Sequence, residues 1–153
     1  VDMDVQYTMQ SSHRDMRCDV YLSEQVEGLC TGVQMIPNNG KSPRSLGGSH
    51  DTIIVVSNGT ILASWGTDWP VNDSAKFAKE TVGLAVFIPI ENAGAPVRDK
   101  RNSLCILKQE KAQNGYSTHF YLTCVGASKE DHPVASNATE WYAYLRKWAI
   151  GLR

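Results

Sequence analysis

The sequence has no long hydrophobic run and no surplus of either charge. No apolar stretch approaches the roughly 18 residues that a transmembrane helix needs. Lysine and arginine (15) nearly balance aspartate and glutamate (16), so we expect neither nucleic acid nor a membrane surface as a partner. Residues 1–10 contain acidic side chains but no basic stretch, which is unlike a signal peptide, and we expect a removed leader or a piece of a longer chain. The 153 residues are enough for one domain with its own core.

The common catalytic and metal-binding motifs are also missing. There is no G-x-S-x-G and no C-x-x-C, and the histidines lack metal-binding spacings. Gly40-Lys41-Ser42 resembles the end of a phosphate-binding loop, but Met35 stands where the first glycine is required. Ser49-His50-Asp51 is no triad, because triads are assembled from distant segments. We therefore expect no catalytic residue, metal or cofactor, and a nuclease that uses His50 and His119 is the least favoured alternative.

Cysteine is scarce, but the four cysteines form an even number: Cys18, Cys30, Cys105 and Cys124. Three N-x-[ST] sequons occur in polar, turn-like stretches, at Asn58, Asn72 and Asn137. Composition would produce roughly one sequon by chance. The two observations together predict a secreted protein that carries N-linked glycans on solvent-facing asparagines.

Ser103–Val125 contains the strongest local signal, a β-hairpin around Asn114-Gly115. Both residues of this dipeptide tolerate the positive φ that a tight hairpin turn requires. Counting outward from a two-residue turn places Cys105 opposite Cys124. These cysteines could bond to each other, or both could point from the hairpin towards another element.

Alternating and amphipathic patterns predict the remaining elements. Met16–Leu22 alternates apolar and polar residues as a half-buried strand does, and Leu29–Ile36 is a second strand. A second hairpin is expected around Asn58-Gly59, and a short helix within Asn72–Glu80. Near the carboxyl end, Ser136 or Asn137 caps an amphipathic helix over Asn137–Arg153. One face of this helix is expected to pack on the sheets: Trp141, Leu145, Trp148 and Leu152.

Thr81–Ile90 is apolar on both faces and ends close to a proline. Because proline cannot donate to a β-ladder, we predict an edge strand, with a buried central strand as the alternative. An exposed apolar edge suits protein association. The predicted partner-binding residues, with Phe87 as the aromatic anchor, are Val82, Leu84, Phe87, Ile88, Pro89 and Ile90.

Two early cysteines on strands and two late ones across a hairpin, with Phe120 and Tyr121 before the last, resemble the ZP-N domains of egg-coat proteins. The resemblance covers about residues 16–125 and implies an immunoglobulin-like antiparallel β-sandwich. The helix at 137–153 is then an extension within a single domain, 1–153. The resemblance further implies two disulfides, Cys18–Cys124 and Cys30–Cys105.

In function, the same resemblance implies a non-enzymatic structural and recognition module of an egg coat. Such a module binds sperm lysin and associates with neighbouring repeats of the same coat protein. The main alternative is an unrelated secreted, glycosylated β-sandwich binding module, lectin-like or effector. A small secreted hydrolase is less favoured than either.

Overall fold

The computed structural model describes residues 1–36, 52–68, 75–127 and 133–152. In these ranges the chain forms antiparallel strands followed by one carboxy-terminal helix, α1 (Ala138–Gly151). The strands are β1 (Met3–Met9), β2 (Met16–Leu22), β3 (Cys30–Gln34), β4 (Thr52–Val56), β5 (Gly59–Asp68), β6 (Glu80–Pro89), β7 (Ala93–Arg98), β8 (Asn102–Leu107), β9 (Glu110–Ala112) and β10 (Gly115–Gly126). The mainly β class and the terminal helix are thus as predicted. No helix in the described ranges is long and apolar enough to cross a membrane.

The strands form a large central sheet and a small second sheet. The central sheet has the order β1-β2-β10-β6-β5-β4, with β9 paired to β10, and the small sheet has the order β3-β8-β7. The two sheets face each other across a cluster that includes Val33, Leu62, Val86, Ile88 and Leu107. Helix α1 covers the other face of the central sheet over β4, β5, β6 and part of β10, so these strands are buried from both sides.

Strand β2 follows its period-2 pattern. Cys18, Val20 and Leu22 are buried on the inner face of the central sheet, as the alternation predicts. Residues 1–15 include the edge strand β1, which pairs with β2 from Met3 to Met9. The polar residues of β2 therefore project towards the side that carries the helix.

The hairpin at Ser103–Val125 is much shorter than predicted. Strand β8 belongs to the small sheet, and only the three residues of β9 pair with β10. The chain changes sheets at Lys108 and Gln109, where the Lys108 amide donates to Asn92 O and the Gln109 side chain bonds both backbone groups of Val26. The counting argument assumed one uninterrupted ladder, so the predicted pairing of Cys105 with Cys124 is wrong.

Both hairpin turns lie one residue earlier than predicted, at Ser57-Asn58 and Gln113-Asn114. Gly59 and Gly115, expected in the turns, are instead the first residues of β5 and β10. A Cβ on Gly115, whose φ is 138°, would lie 2.0 Å from Leu22 O, and one on Gly59 would lie 2.3 Å from Ile88 O. Close backbone approach therefore selects these two glycines.

The predicted disulfides are absent, since all four cysteines are free thiols. Phe120 lies opposite Cys18, and Cys124 is four residues further along β10 at about 3.3 Å per residue. Cys30 and Cys105 lie one register position apart on neighbouring strands, so Cys105 is buried while Cys30 is exposed. Neither pair has the close, facing Cβ atoms that a disulfide requires.

Strand β6 is central, which makes the edge-strand prediction wrong and the alternative right. It pairs with β10 on one side and with β5 along its whole length on the other. Pro89 lies at the last pair of the β5–β6 ladder, opposite Gly59. Because the ladder ends there, the missing amide hydrogen of Pro89 does not interrupt it. The apolar pattern on both faces reflects burial under α1 and under the small sheet.

Helix α1 matches the predicted helix closely. Asn137 is the N-cap, and its side chain accepts a hydrogen bond from the Glu140 amide. Trp141, Leu145 and Ala149 are buried against the sheet. A Cβ on Gly83 of β6 would lie 2.7 Å from the Trp141 ring, so the missing side chain at Gly83 makes room for the indole. The expected short helix is absent from residues 75–80, and the rest of Asn72–Glu80 lies outside the described ranges.

Candidate ligand groove

Helix α1 leaves the β1–β2 side of the central sheet uncovered, and a groove runs along this side. A cavity of about 280 Å³ opens between the carboxyl end of α1, the β1–β2 connection and the sheet. It is lined by Thr8, Gln10, His13, Asp15, Arg17, Tyr121, Gly151 and Leu152. No pattern in the sequence predicted a site here.

Arg17 is held at the base of this cavity by two neighbours. Its Nε lies 2.9 Å from both carboxylate oxygens of Asp19, and its Nη2 lies 2.7 Å from Oδ1. Its Nη1 lies 3.4 Å from the hydroxyl of Tyr121, the residue opposite Arg17 in the register of β2 and β10. The hydrogen bond to Asp19 raises the pKa of Arg17 above its usual value. The donors of Arg17, the acceptor oxygens of Asp19 and the hydroxyl of Tyr121 are therefore fixed in place on a rigid sheet.

His119 lies beside this group, opposite Asp19 in the register. Its ring meets the ring of Tyr121 edge-on, with centroids 5.9 Å apart. Burial, and then the charge of Arg17, lowers the pKa of His119 below the usual 6.5. The imidazole is therefore neutral at neutral pH and offers one donor and one acceptor.

A second cavity, of about 580 Å³, adjoins the first and shares His13 and Asp15 with it. The Nδ1 of His13 lies 3.5 Å from Oδ1 of Asp15. The tight turn before this pair contains Ser12 at a φ of 68°, and the His13 amide donates to Gln10 O. We call the two cavities together the polar groove.

Tyr144 forms an aromatic wall of the larger cavity. Its ring stacks on Trp141, with centroids 5.5 Å apart and planes 15° apart, and Trp141 itself is fully buried. Burial also raises the pKa of the Tyr144 phenol. The wall is therefore a rigid ring in a neutral form beside charged and polar groups.

A separate apolar cavity of about 440 Å³ lies at the inner face of the central sheet, beside β3. Its lining includes Met16, Val33, Leu84, Leu122 and Cys124. Among the described residues, no group of three or more histidine, cysteine, aspartate or glutamate side chains could hold a metal ion.

The predicted partner-binding strand offers little surface. Phe87, Ile88 and Pro89 are buried, and Val82 and Leu84 are partly buried. Ile90, directly after β6, is 60% exposed. Phe87 lies under α1, where its ring packs against Trp148 and Tyr121, so it cannot anchor a partner as we predicted.

The predicted glycan sites differ from one another in environment. Asn58 is partly buried, and its Nδ2, the atom that a glycan would modify, donates to Ala149 O at 2.7 Å. This geometry disagrees with a glycan projecting from the hairpin tip. Asn137 is exposed, and Asn72 lies outside the described residues.

The residues of the polar groove had only weak signals in the sequence. The alternation of β2 correctly leaves Arg17 and Asp19 on the polar side of the strand. It does not show that β10, about a hundred residues later, supplies their neighbours. Of the two histidines in the nuclease alternative, His50 lies outside the described ranges, and His119 joins the cluster at Arg17.

Comparison with known proteins supplies a family without an activity. A family model described as "Domain of unknown function (DUF4861)" matches residues 1–153. No curated protein and no solved structure matches the chain.

Proposed function

The chain belongs to this family of unknown function, and we propose that it is a non-enzymatic, lectin-like binding module that takes a hydroxyl-rich ligand in the polar groove. The proposal depends on one observation above all. Arg17 and Tyr121 line the groove within hydrogen-bond reach of each other, and Asp19, which does not itself line it, holds Arg17 in place. A ligand with many hydroxyl groups needs such a mixture of fixed donors and acceptors.

The mutual pairing of these groups favours binding over catalysis. Both oxygens of Asp19 accept hydrogen bonds from Arg17, and the Tyr121 hydroxyl is within reach of the same guanidinium. A general acid or base needs a proton site that the substrate can reach directly. The paired carboxylate is better placed to hold Arg17 in a fixed orientation, from which the guanidinium can donate to a ligand.

The binding test uses the full chain and an immobilised panel of oligosaccharides. The double variant Arg17→Gln/Asp19→Asn removes the charge pair without leaving an unpaired charge in the groove. We expect the wild type to bind at least one saccharide and the variant to bind it about tenfold more weakly, the loss of roughly one net hydrogen bond. Val55→Ala, at a side chain that is 79% exposed on β4, is the control with unchanged affinity.

Two results would contradict the proposal. One is equal affinity of the double variant and the wild type for the bound saccharide. The other is conversion of the saccharide to a product, measured by chromatography of the incubated panel, because turnover would make the chain an enzyme.

Secretion remains part of this proposal. The exposed Asn137 is its best support in the structure. The four free thiols, and the Asn58 side-chain amide that is hydrogen-bonded to Ala149 O, do not support secretion. Expression in a secreting eukaryotic host, followed by mass analysis of peptides, should find a glycan at Asn137 and an unmodified Asn58.

The egg-coat role is a separate and more specific proposal. It assigns the chain to the immunoglobulin-like ZP-N type, as a repeat of a vitelline envelope protein that binds sperm lysin and neighbouring repeats. The disulfide pairing that the resemblance implies is absent, so the groove proposal does not build on the resemblance. Co-sedimentation of the chain with lysin would support the egg-coat role, and failure to associate at high micromolar concentrations would reject it.

A further inference from the structure

The polar groove is longer than a single small ligand requires. Tyr144 and Leu152 line its two cavities and lie eight residues apart along α1, which corresponds to about 12 Å at 1.5 Å per residue. The two cavities meet at His13 and Asp15. A ligand that fills the groove is therefore extended, with one part on each side of this pair.

Among the described residues, the charges in the groove and directly beside it balance. Arg17 is neutralised by Asp19 through N–O contacts of 2.7 to 2.9 Å. The other two charged residues in the lining, Arg14 and Asp15, have opposite signs. An anionic ligand that sought Arg17 would have to compete with a carboxylate already bound in a favourable geometry. Within the part of the chain that the structure describes, the groove therefore has no excess charge with which to attract an ion.

The wall of the larger cavity is suited to an apolar ring face. Tyr144 is held against the buried Trp141, and Val134 lies in the same lining. Binding sites commonly combine such a fixed apolar surface with a few placed polar groups. A pyranose ring has both characters, because its hydroxyl groups surround patches of C–H.

We propose that the polar groove binds an uncharged oligosaccharide of at least two units, with one unit against Tyr144 and the next beside Arg17 and Tyr121. This inference rests on the proposed lectin-like function and specifies its ligand. Acidic saccharides are excluded by the Arg17–Asp19 pair, which occupies the cation that they would need. Asp19 thus determines specificity through Arg17, whose charge it neutralises and whose side chain it holds in place.

The experiment compares neutral and acidic probes on the same protein. Isothermal titration of the full chain uses neutral trisaccharides of glucose, galactose, mannose and xylose, beside trimers of glucuronic and galacturonic acid. We expect the best neutral probe to bind at least about tenfold more tightly than either acidic trimer. Tyr144→Ala should lose this binding, whereas Tyr144→Phe, which keeps the ring, should retain most of it.

Asp19→Asn tests the charge argument directly. Asparagine keeps the shape and one acceptor but leaves the charge of Arg17 unbalanced, so this variant should gain about tenfold in affinity for the acidic trimers. Glu24→Gln removes an exposed carboxylate outside the groove and should leave both affinities unchanged.

The two levels of the proposal fail in different ways. If no saccharide of either class binds, the lectin-like function itself is wrong. If the wild type prefers the acidic trimers, or Asp19→Asn gains nothing for them, the lectin-like function stands and the inference about charge is overturned. An extended peptide that binds in the groove in place of every saccharide would overturn both.

Discussion

Phe87 shows how one buried side chain connects the helix to the sheet. It is 1% exposed, and its ring lies 6.1 Å from those of Tyr121 and Trp148. We expect Phe87→Ala to lower the free energy of unfolding by about 3–5 kcal/mol, because truncation leaves a cavity and removes the aromatic contacts. The thermal midpoint should fall on the order of 10 °C.

Urea unfolding of this variant beside Val55→Ala measures the difference. Val55 is 79% exposed, so its truncation should change the free energy of unfolding by less than about 0.5 kcal/mol. An unchanged midpoint for Phe87→Ala would place Phe87 on a free surface, as the edge-strand interpretation required.

The four cysteines should react in two classes. Cys18 and Cys105 are buried, and burial raises the pKa of both thiols, which lowers the fraction of reactive thiolate. We expect a thiol reagent to modify Cys30 and Cys124 rapidly in the native protein and all four cysteines only after unfolding. Peptide mapping without reductant provides the check, and a recovered Cys18–Cys124 or Cys30–Cys105 peptide would restore the disulfide framework.

At the level of elements, Gly83 determines how closely α1 approaches β6. We expect Gly83→Ala to lower the free energy of unfolding by about 1–3 kcal/mol, because the new methyl group would overlap the Trp141 ring. Denaturant unfolding followed by tryptophan fluorescence measures this free energy, because Trp141 changes its environment when the helix moves away from the sheet.

Gly151→Ala is the matched control for this substitution. A Cβ at Gly151 would meet no atom within 4 Å, and the residue belongs to the last turn of α1. Alanine should therefore be neutral here or stabilise by up to about 1 kcal/mol. Equal effects at the two glycines would mean that the contact between Gly83 and Trp141 does not hold the helix in place.

For the whole molecule, we expect stability to decrease as the pH falls below about 6.5. The pKa of His119 is lowered in the folded state by burial and by Arg17, although Asp19, Glu91 and Glu110 act in the opposite direction. The unfolded chain then binds the proton more readily, so acid favours unfolding until the pH passes below the folded-state pKa. Above about 6.5 both states are neutral at this residue, and its contribution is constant.

Urea midpoints of the wild type and His119→Gln at pH 7.5 and pH 5 isolate this contribution. The decrease between the two pH values should be smaller in the variant, because glutamine does not titrate. If lowering the pH instead destabilises the wild type less than the variant, the carboxylates near His119 outweigh the effect of its burial on the pKa.

Local patterns in the sequence determined the elements that depend on near neighbours. The period of two in Met16–Leu22 and the apolar face of Trp141 and Leu145 predicted β2 and α1 with nearly correct bounds. Asn137 was correctly among the two expected caps, because capping involves residues only three positions apart. Both hairpin turns were found to within one residue, since turn chemistry is also local.

Only the tertiary structure decided which strands are neighbours. An alternating pattern shows which face of a strand is buried but not which strand it pairs with. The sequence therefore did not show that β8 belongs to the small sheet, instead of extending the hairpin, or that β6 is central. The polar groove depends on the same long-range pairing. Arg17 and Tyr121 are 104 residues apart in the chain, and they meet because β2 and β10 lie side by side where α1 leaves the sheet uncovered.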